Sequence, residues 1–303
     1  MGLLDEVRAH AATVANAARF VGIDHERLDR YAASLPVEQA RAPELDPDTH
    51  YVGERDSTLA YVITLDAINF GSGYFPHLRK RPGLSGYFTV ASSLKDVWQA
   101  RGPLSARDLQ GLTAEACAKI FGQSLEDAAV AELMALFARA LNDLGAYLAD
   151  RFDGTFQALV DAADGSAENL AGLLAAMPFY ADRGFYKRAQ LTGADLSLAR
   201  VAQFRDLDRL TIFADNLVPH VLRVDGVLYY DAGLLARINR EELIPAGSPE
   251  EREIRACALH AVELLRDRLD GVTSMQLDYV LWNRGQQPRY KAQPRHRTRS
   301  VFY

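Results

Sequence analysis

A mainly α-helical fold with a few short strands is what this chain of 303 residues predicts. Three observations carry the prediction. Apolar residues recur at three- and four-residue steps through long Ala/Leu-rich segments, capping signals stand ahead of several of them, and stretches with strand character are few and short. The first helix is expected over Leu3–Phe20. Ser105-x-x-Asp108 caps another, and Ser124-x-x-Asp127 introduces a long amphipathic helix over residues 125–150, LEDAAVAELMALFARALNDLGAYLAD. Ser248-Pro249-Glu250-Glu251 is a stronger start signal, because it adds proline at the first helical position to a Ser-x-x-Glu box; that helix is expected to run to about Asp267. The strand candidates are Tyr61–Leu65 (YVITL), Tyr87–Ala91 (YFTVA) and Val227–Tyr230 (VLYY).

Composition bounds the rest. With 49% apolar residues the chain can build a substantial core without disulfide or metal. Neither repeats nor low-complexity segments occur, and the only compositional shift is a basic, apolar-poor tail from Arg284 to Arg299. No linker invites a cut, so residues 1–303 are expected to form a single compact helical domain or two packed helical subdomains with no readable boundary. Cys117 and Cys257 have no metal-ligand or CxxC spacing, which fits a reducing cytoplasm. The opening MGLLDEVRAH places charges where a signal peptide needs an apolar core, Glu6 spoils a myristoylation pattern, and no apolar run reaches the roughly 20 residues that span a bilayer. A net charge of −6 argues against a broad nucleic-acid surface. No HExxH-like cluster suggests a metal.

Four segments could carry chemistry. LDAINFGSGYFP, residues 65–76, breaks from an apolar run into Gly71-Ser72-Gly73 and aromatics. This reads either as an ordinary turn or as a loop lying against a flat ligand, with Phe70 or Tyr74 stacking on it. In FYKRAQ, residues 185–190, Lys187 and Arg188 are either a solvated cationic pair or an anchored cation facing an acid. In LTIFADNLVPHVLR, residues 210–223, Asp215 is the one carboxylate of an apolar stretch. On a helical wheel it flanks the Leu210, Ala214, Leu217 and Val221 stripe, and Pro219, four residues on, is expected to bend or end a helix near the acid. Finally, QLDYVLWNRG, residues 276–285, sets Asp278 beside Tyr279 and Trp282, either an arrangement suited to a heterocycle's N–H groups and face or a helix-surface acid beside core aromatics. It is followed by PRHRTRSVFY, whose apolar end suggests a docked tail and whose arginines match phosphate oxygens.

These segments, in this order and together with EIRACALHAVELLRD, resemble the queuosine salvage protein family, the queuosine 5′-phosphate N-glycosylase/hydrolases. The resemblance covers nearly the whole chain. It implies a helical fold similar to the DNA glycosylases and hydrolysis of the bond between ribose and the 7-deazaguanine base queuine in queuosine 5′-monophosphate, with no cofactor. Asp215 then stabilises the oxocarbenium-like sugar and orients or deprotonates water, or attacks directly, and Lys187 is the cation that keeps it ionised. Base-binding candidates are Asp278, Asn69, Phe70 and Trp282, with Asp66, Ser72 or His50 for the cyclopentenediol arm. Phosphate-binding candidates are His220, Arg188, Arg295, His296, Arg297 and Arg299. Glu263 belongs to the resembling motif, although its wheel position reads as a solvated acid.

The expected partners are a small nucleotide substrate and the queuine product, with no membrane and no stable nucleic-acid complex. Two alternatives stand beside this reading: a glycosylase acting on polymeric nucleic acid, and a non-catalytic binding protein for a modified nucleoside.

Overall fold

The structure, a computed structural model, describes residues 2–40 and 45–303, with residues 39 and 40 described by backbone alone. Its helices follow one another with short connections: α1 Leu3–Asn16, α2 Leu28–Ala33, α3 Val37–Ala40, α4 Arg55–Ala67, α5 Gly86–Arg101, α6 Ala106–Gln110, α7 Ala114–Phe121, α8 Ala128–Arg151, α9 Phe156–Asp161, α10 Ala167–Leu174, α11 Lys187–Leu198, α12 Leu217–Val224, α13 Ala232–Asn239, α14 Pro249–Arg266, α15 Ser274–Arg284 and α16 Pro288–Lys291. Two short strands, β1 Val21–Ile23 and β2 Leu228–Tyr230, pair antiparallel with Val21 opposite Tyr230.

Capping explains several starts. Ser105 and Asp108 form the reciprocal box at α6, and Ser248 accepts the Glu251 N–H at α14, while the Glu251 carboxylate turns back to Gly247 N. Helix α8 begins later than Ser124 suggests, because Asp127 is its cap and accepts the N–H groups of Ala129 and Val130. Helix α1 ends at Asn16 rather than Phe20, since the next residues turn into β1. The N–H groups of Arg19, Phe20 and Val21 all bond to the Glu253 carboxylate, at 2.9, 2.6 and 3.2 Å.

Two strand expectations are corrected. YVITL lies inside α4 and YFTVA inside α5. Every residue of α4 from Thr58 to Ala67 is buried. A helix enclosed on all sides shows no amphipathic period, so its β-branched and aromatic content reads as strand. VLYY is a strand as expected, over Leu228–Tyr230.

The buried apolar residues form two clusters. One is built on α4 to α11 around Tyr61, Trp98, Phe137 and Leu144; the other joins α1, α2, α12, α14 and α15 around Val7, Val218, Ala258 and Leu277. Close approach in the first cluster depends on Gly145, where a β-carbon would lie 2.5 Å from Ala106 O of the crossing helix. Glu263, expected in solvent, is instead buried: it bonds Arg8 Nε at 2.8 Å, Arg266 Nη1 at 2.6 Å and Ser274 Oγ at 2.7 Å, clasping α1 and α15 to α14.

Candidate active site

Residues of both clusters line one cavity of about 930 Å³. The α4–α5 and α11 side supplies Asn69, Tyr87, Lys187 and Asp195. The facing side supplies Asp215, Asp278, Trp282 and the tail.

Asp215 does not ride on a helix. Residues 210–215 run irregularly, and α12 starts only at Leu217. The Asp215 carboxylate caps that start, its Oδ1 accepting the N–H groups of Leu217 at 2.7 Å and Val218 at 3.1 Å. Oδ2 takes no hydrogen bond from the described residues, and Asp215 is a residue of the cavity wall. Pro219 therefore sits in the first helical turn, where its missing N–H costs nothing, and it ends no helix.

Lys187 opens α11, after Tyr186 in the left-handed region at φ +47°. Its ammonium is buried and donates to the backbone oxygen of Asn69 at 3.3 Å and to Asn69 Oδ1 at 3.4 Å. Burial lowers its pKa, while the charges of Asp215, Asp66 and Asp195 hold it up. Asp215 is its strongest favourable electrostatic neighbour, but among the described residues the two are not in ion-pair contact.

One buried ion pair joins the segments that carry these two groups. Asp182 accepts the Lys187 backbone N–H at 3.2 Å and both Arg255 Nη atoms, at 3.0 and 2.6 Å. Arg255 Nε in turn donates to Ala214 O at 2.8 Å, one residue before Asp215. The guanidinium is held between the rings of Phe185 and Tyr303. The sequence reading missed both residues, although Arg255 lies within EIRACALHAVELLRD.

Asp278 is buried with Oδ1 on the Phe213 N–H at 2.9 Å. Burial, then the charge of Asp215, push its pKa well above the ordinary carboxylate range. Trp282, one turn on along α15, shares the cavity wall with it and meets Tyr87 and Phe88 edge-on. Asp195 is a wall residue that the sequence reading did not single out. Its spacing was a usable signal, since Lys187, Leu191 and Asp195 stand four apart on one face of α11 and all line the cavity.

Other candidates fare differently. Asn69, Phe70, Ser72 and His50 line the cavity. Phe70 is almost wholly buried against Phe137 and beneath Arg188, and His50 is bonded to the Tyr87 hydroxyl at 2.9 Å. Asp66 is fully buried behind the wall. The glycine loop serves the chain's own tail rather than a flat ligand: Gly71 N donates to Tyr303 O at 3.0 Å, and a β-carbon on Gly73 would lie 2.3 Å from Thr298 O. Tyr74 is covered by Arg299 and is no stacking platform for the cavity.

The tail docks as expected, with Ile244 N bonded to Arg297 O at 2.8 Å and Tyr303 buried. Of the six phosphate candidates, Arg295 and Arg297 combine a place on the cavity wall with a guanidinium, and Arg297 also pairs with Glu241 at 2.9 Å. His220 reaches the wall, but Nε2 is bonded to Tyr290 O and Nδ1 to Arg223, and burial lowers its pKa to about 4, so it brings no free N–H and no charge at neutral pH. Arg188 is sealed in the interior and donates to the carbonyls of Asp66, Ala67, Phe179 and Val301. His296 is buried beside Tyr303, its pKa lowered by burial to about 3. Arg299 pairs with Glu132 at 3.5 Å away from the cavity. These four corrections share one cause: burial and partner choice are invisible in a run of basic letters.

Among the described residues no cluster of His, Cys, Asp and Glu could hold a metal ion, and no helix is long and apolar enough to cross a membrane.

Comparison with known proteins converges on one family. Residues 49–303 match the family model described as queuosine salvage protein. The chain is 36% identical to the queuosine 5′-phosphate N-glycosylase/hydrolase of Sphaerobacter thermophilus, over 96% of this chain and 95% of that one. The proteins of the same name from Mus musculus and Dictyostelium discoideum are 30% and 28% identical, covering 98% and 100% of both chains respectively. The model match takes in Lys187, Asp215, Asp278 and the docked tail together, and the chain belongs to the queuosine salvage protein family.

Proposed function

We propose that the protein hydrolyses the N-glycosidic bond of queuosine 5′-monophosphate, releasing queuine and ribose 5-phosphate. The observation that carries this reading is the half-anchored carboxylate of Asp215, a residue of the cavity wall: Oδ1 is fixed by two helix N–H groups, and Oδ2 takes no bond from the described residues. A fixed anion beside the anomeric carbon stabilises the positive charge that grows on the sugar as the base leaves. The bond from C1′ to the base breaks with its electron pair going to the base. Water adds to C1′, and its proton goes to Asp215.

A 7-deazapurine has carbon in place of N7 and cannot be activated by protonation there, so charge on the departing base has to be met elsewhere. Asp278, whose raised pKa favours the acid form, donates a hydrogen bond and then the proton to the base. Lys187 supplies a positive charge among Asp215 and the other acids of the site. Trp282 and Tyr87 provide an aromatic wall for the base, and Arg295 and Arg297 hold the 5′-phosphate. A cavity of about 930 Å³ suits one nucleotide, and a net charge of −6 disfavours a polymer.

Incubation of the purified protein with queuosine 5′-monophosphate, queuosine and GMP, with chromatographic detection of free base, tests the reading. Release of queuine chiefly from the modified monophosphate is expected. Tight binding with no release would make the protein a binder and Asp215 a recognition residue.

A further inference from the structure

More acids gather around the Lys187 ammonium than one cation balances, and hydrolysis alone does not require them all. Beyond Asp215 and Asp278 lie Asp195 on the wall and Asp66 behind it, and the Lys187 ammonium is already bonded to Asn69. Asp66 is fully buried with neither carboxylate oxygen in a well-formed hydrogen bond, although the Asn69 and Thr192 side chains and the charges of Lys187 and Arg188 lie near enough to favour its charged form. Asp195 is 8% exposed and faces Asp66 carboxyl to carboxyl. Two carboxyls in such contact need a shared proton: burial raises the pKa of both, and the charge of Asp66 raises that of Asp195 further. The Tyr279 hydroxyl, on a wall residue, is also buried without a partner. An acidic pair held together only by a proton, with a buried hydroxyl left over on the same wall, is a receptor for a cation with N–H groups.

The substrate reading supplies one. In queuosine the arm on C7 of the deazaguanine joins the cyclopentenediol through a secondary amine, and an alkylamine carries a proton at neutral pH, as a lysine does. We infer that Asp195 is the specificity residue of this cavity, its carboxylate taking that ammonium with Asp66 as the second anion behind it. Asp195 stands eight residues, about 12 Å of helix, beyond Lys187. That span suits a base whose glycosidic end is at Asp215 and whose arm extends down α11. The bound ammonium replaces the proton shared by the two carboxyls. This inference rests on the glycosylase reading.

The test compares the 5′-monophosphates of 7-aminomethyl- and 7-cyano-7-deazaguanosine, close in size and different in charge, alongside queuosine 5′-monophosphate. Wild type is expected to favour the amine-bearing substrates. Asp195→Asn should lower kcat/KM on them about 10- to 100-fold, the worth of a charge-assisted hydrogen bond, and leave the cyano substrate within about threefold. Equal losses on both, or wild type cleaving both equally well, would overturn the assignment.

Asp66→Asn, which removes only the second anion, should narrow the preference less than Asp195→Asn does; a larger narrowing would take the ammonium away from Asp195. If Asp195→Asn does not fold, equilibrium binding of the two free bases to wild type decides: about tenfold tighter binding of the aminomethyl base supports the site, and equal binding removes it. Wild type that cleaves no substrate would defeat the glycosylase reading, and the binding comparison would still judge the amine site.

Discussion

Asp182 and Arg255 form a two-pronged buried ion pair, at 3.0 and 2.6 Å, whose other bonds reach the backbone of Lys187 and of Ala214. The two proposed catalytic side chains therefore share one rivet. Removing Arg255 leaves the Asp182 charge buried and uncompensated, at about 3–5 kcal/mol, whereas Arg255 without Asp182 keeps Glu251 at 3.6 Å. Arg255→Met should lower the melting temperature and also cut kcat by about 100-fold, because displacement of Asp215 by an ångström is enough for that. In a double-mutant cycle with Asp182→Asn, the double variant should be less destabilised than the two single losses added together. Simple additivity would show that the pair is not a unit.

Asp215→Asn separates chemistry from capping. Asparagine keeps an acceptor for the Leu217 and Val218 N–H groups, so the melting temperature should hold, while kcat should fall about 10²- to 10⁴-fold. Asp215→Ala should lose the cap as well, about 1 kcal/mol of stability. A variant with asparagine that turns over near the wild-type rate would exclude Asp215 from the chemical step.

The rate should fall on the alkaline side. Burial lowers the Lys187 pKa, so its charge is lost at a pH below that of an ordinary lysine, and the raised Asp278 is useful only while protonated. Both changes remove a proton that the mechanism uses, so both push the same limb of the profile. Asp278→Asn should slow the reaction and remove one of the two ionisations from kcat against pH. A profile that rises steadily into alkali would contradict both roles.

Helices and site were unequally legible in the sequence, for reasons that trace to burial. The helix starts at Ser105 and Ser248 could be read because capping is local chemistry. The interiors of α4 and α5 could not, because a fully enclosed helix loses its period. Lys187, Asp215 and Asp278 do meet around one cavity, as the family resemblance implied and the residues taken singly did not decide. Arg188 and His220 were indistinguishable in sequence from Arg295, yet their donors are used up inside the protein. Asp182 and Arg255 look like ordinary helix-flanking charges until the fold sets them face to face.

Arg295 lines the cavity within electrostatic reach of Asp215 and Arg297, and it has no ion-pair partner among the described residues. It is therefore available to a phosphate. Arg295→Gln should lower kcat/KM for the nucleotide about 10- to 100-fold, largely through KM, and leave the bare nucleoside nearly unaffected. Equal losses on nucleotide and nucleoside would point instead to an effect on Asp215.

The Asp66 and Asp195 pair gives folding stability a pH dependence whose sign is fixed by its raised pKa values. The folded state holds protons that the unfolded chain releases near the ordinary carboxylate value of about 4. The associated stability is complete below that point and is lost as pH rises through the folded value, about 7 for Asp66. Asp66→Asn removes one acid, gives Asp195 a neutral amide neighbour, and leaves a side chain of nearly the same size. The substitution should thus be neutral at pH 4 and raise the melting temperature at pH 8, with a gap that widens between those values. If the variant were instead less stable at pH 8 than at pH 4 relative to wild type, Asp66 would be an ionised partner in the folded protein, and the shared proton would be ruled out.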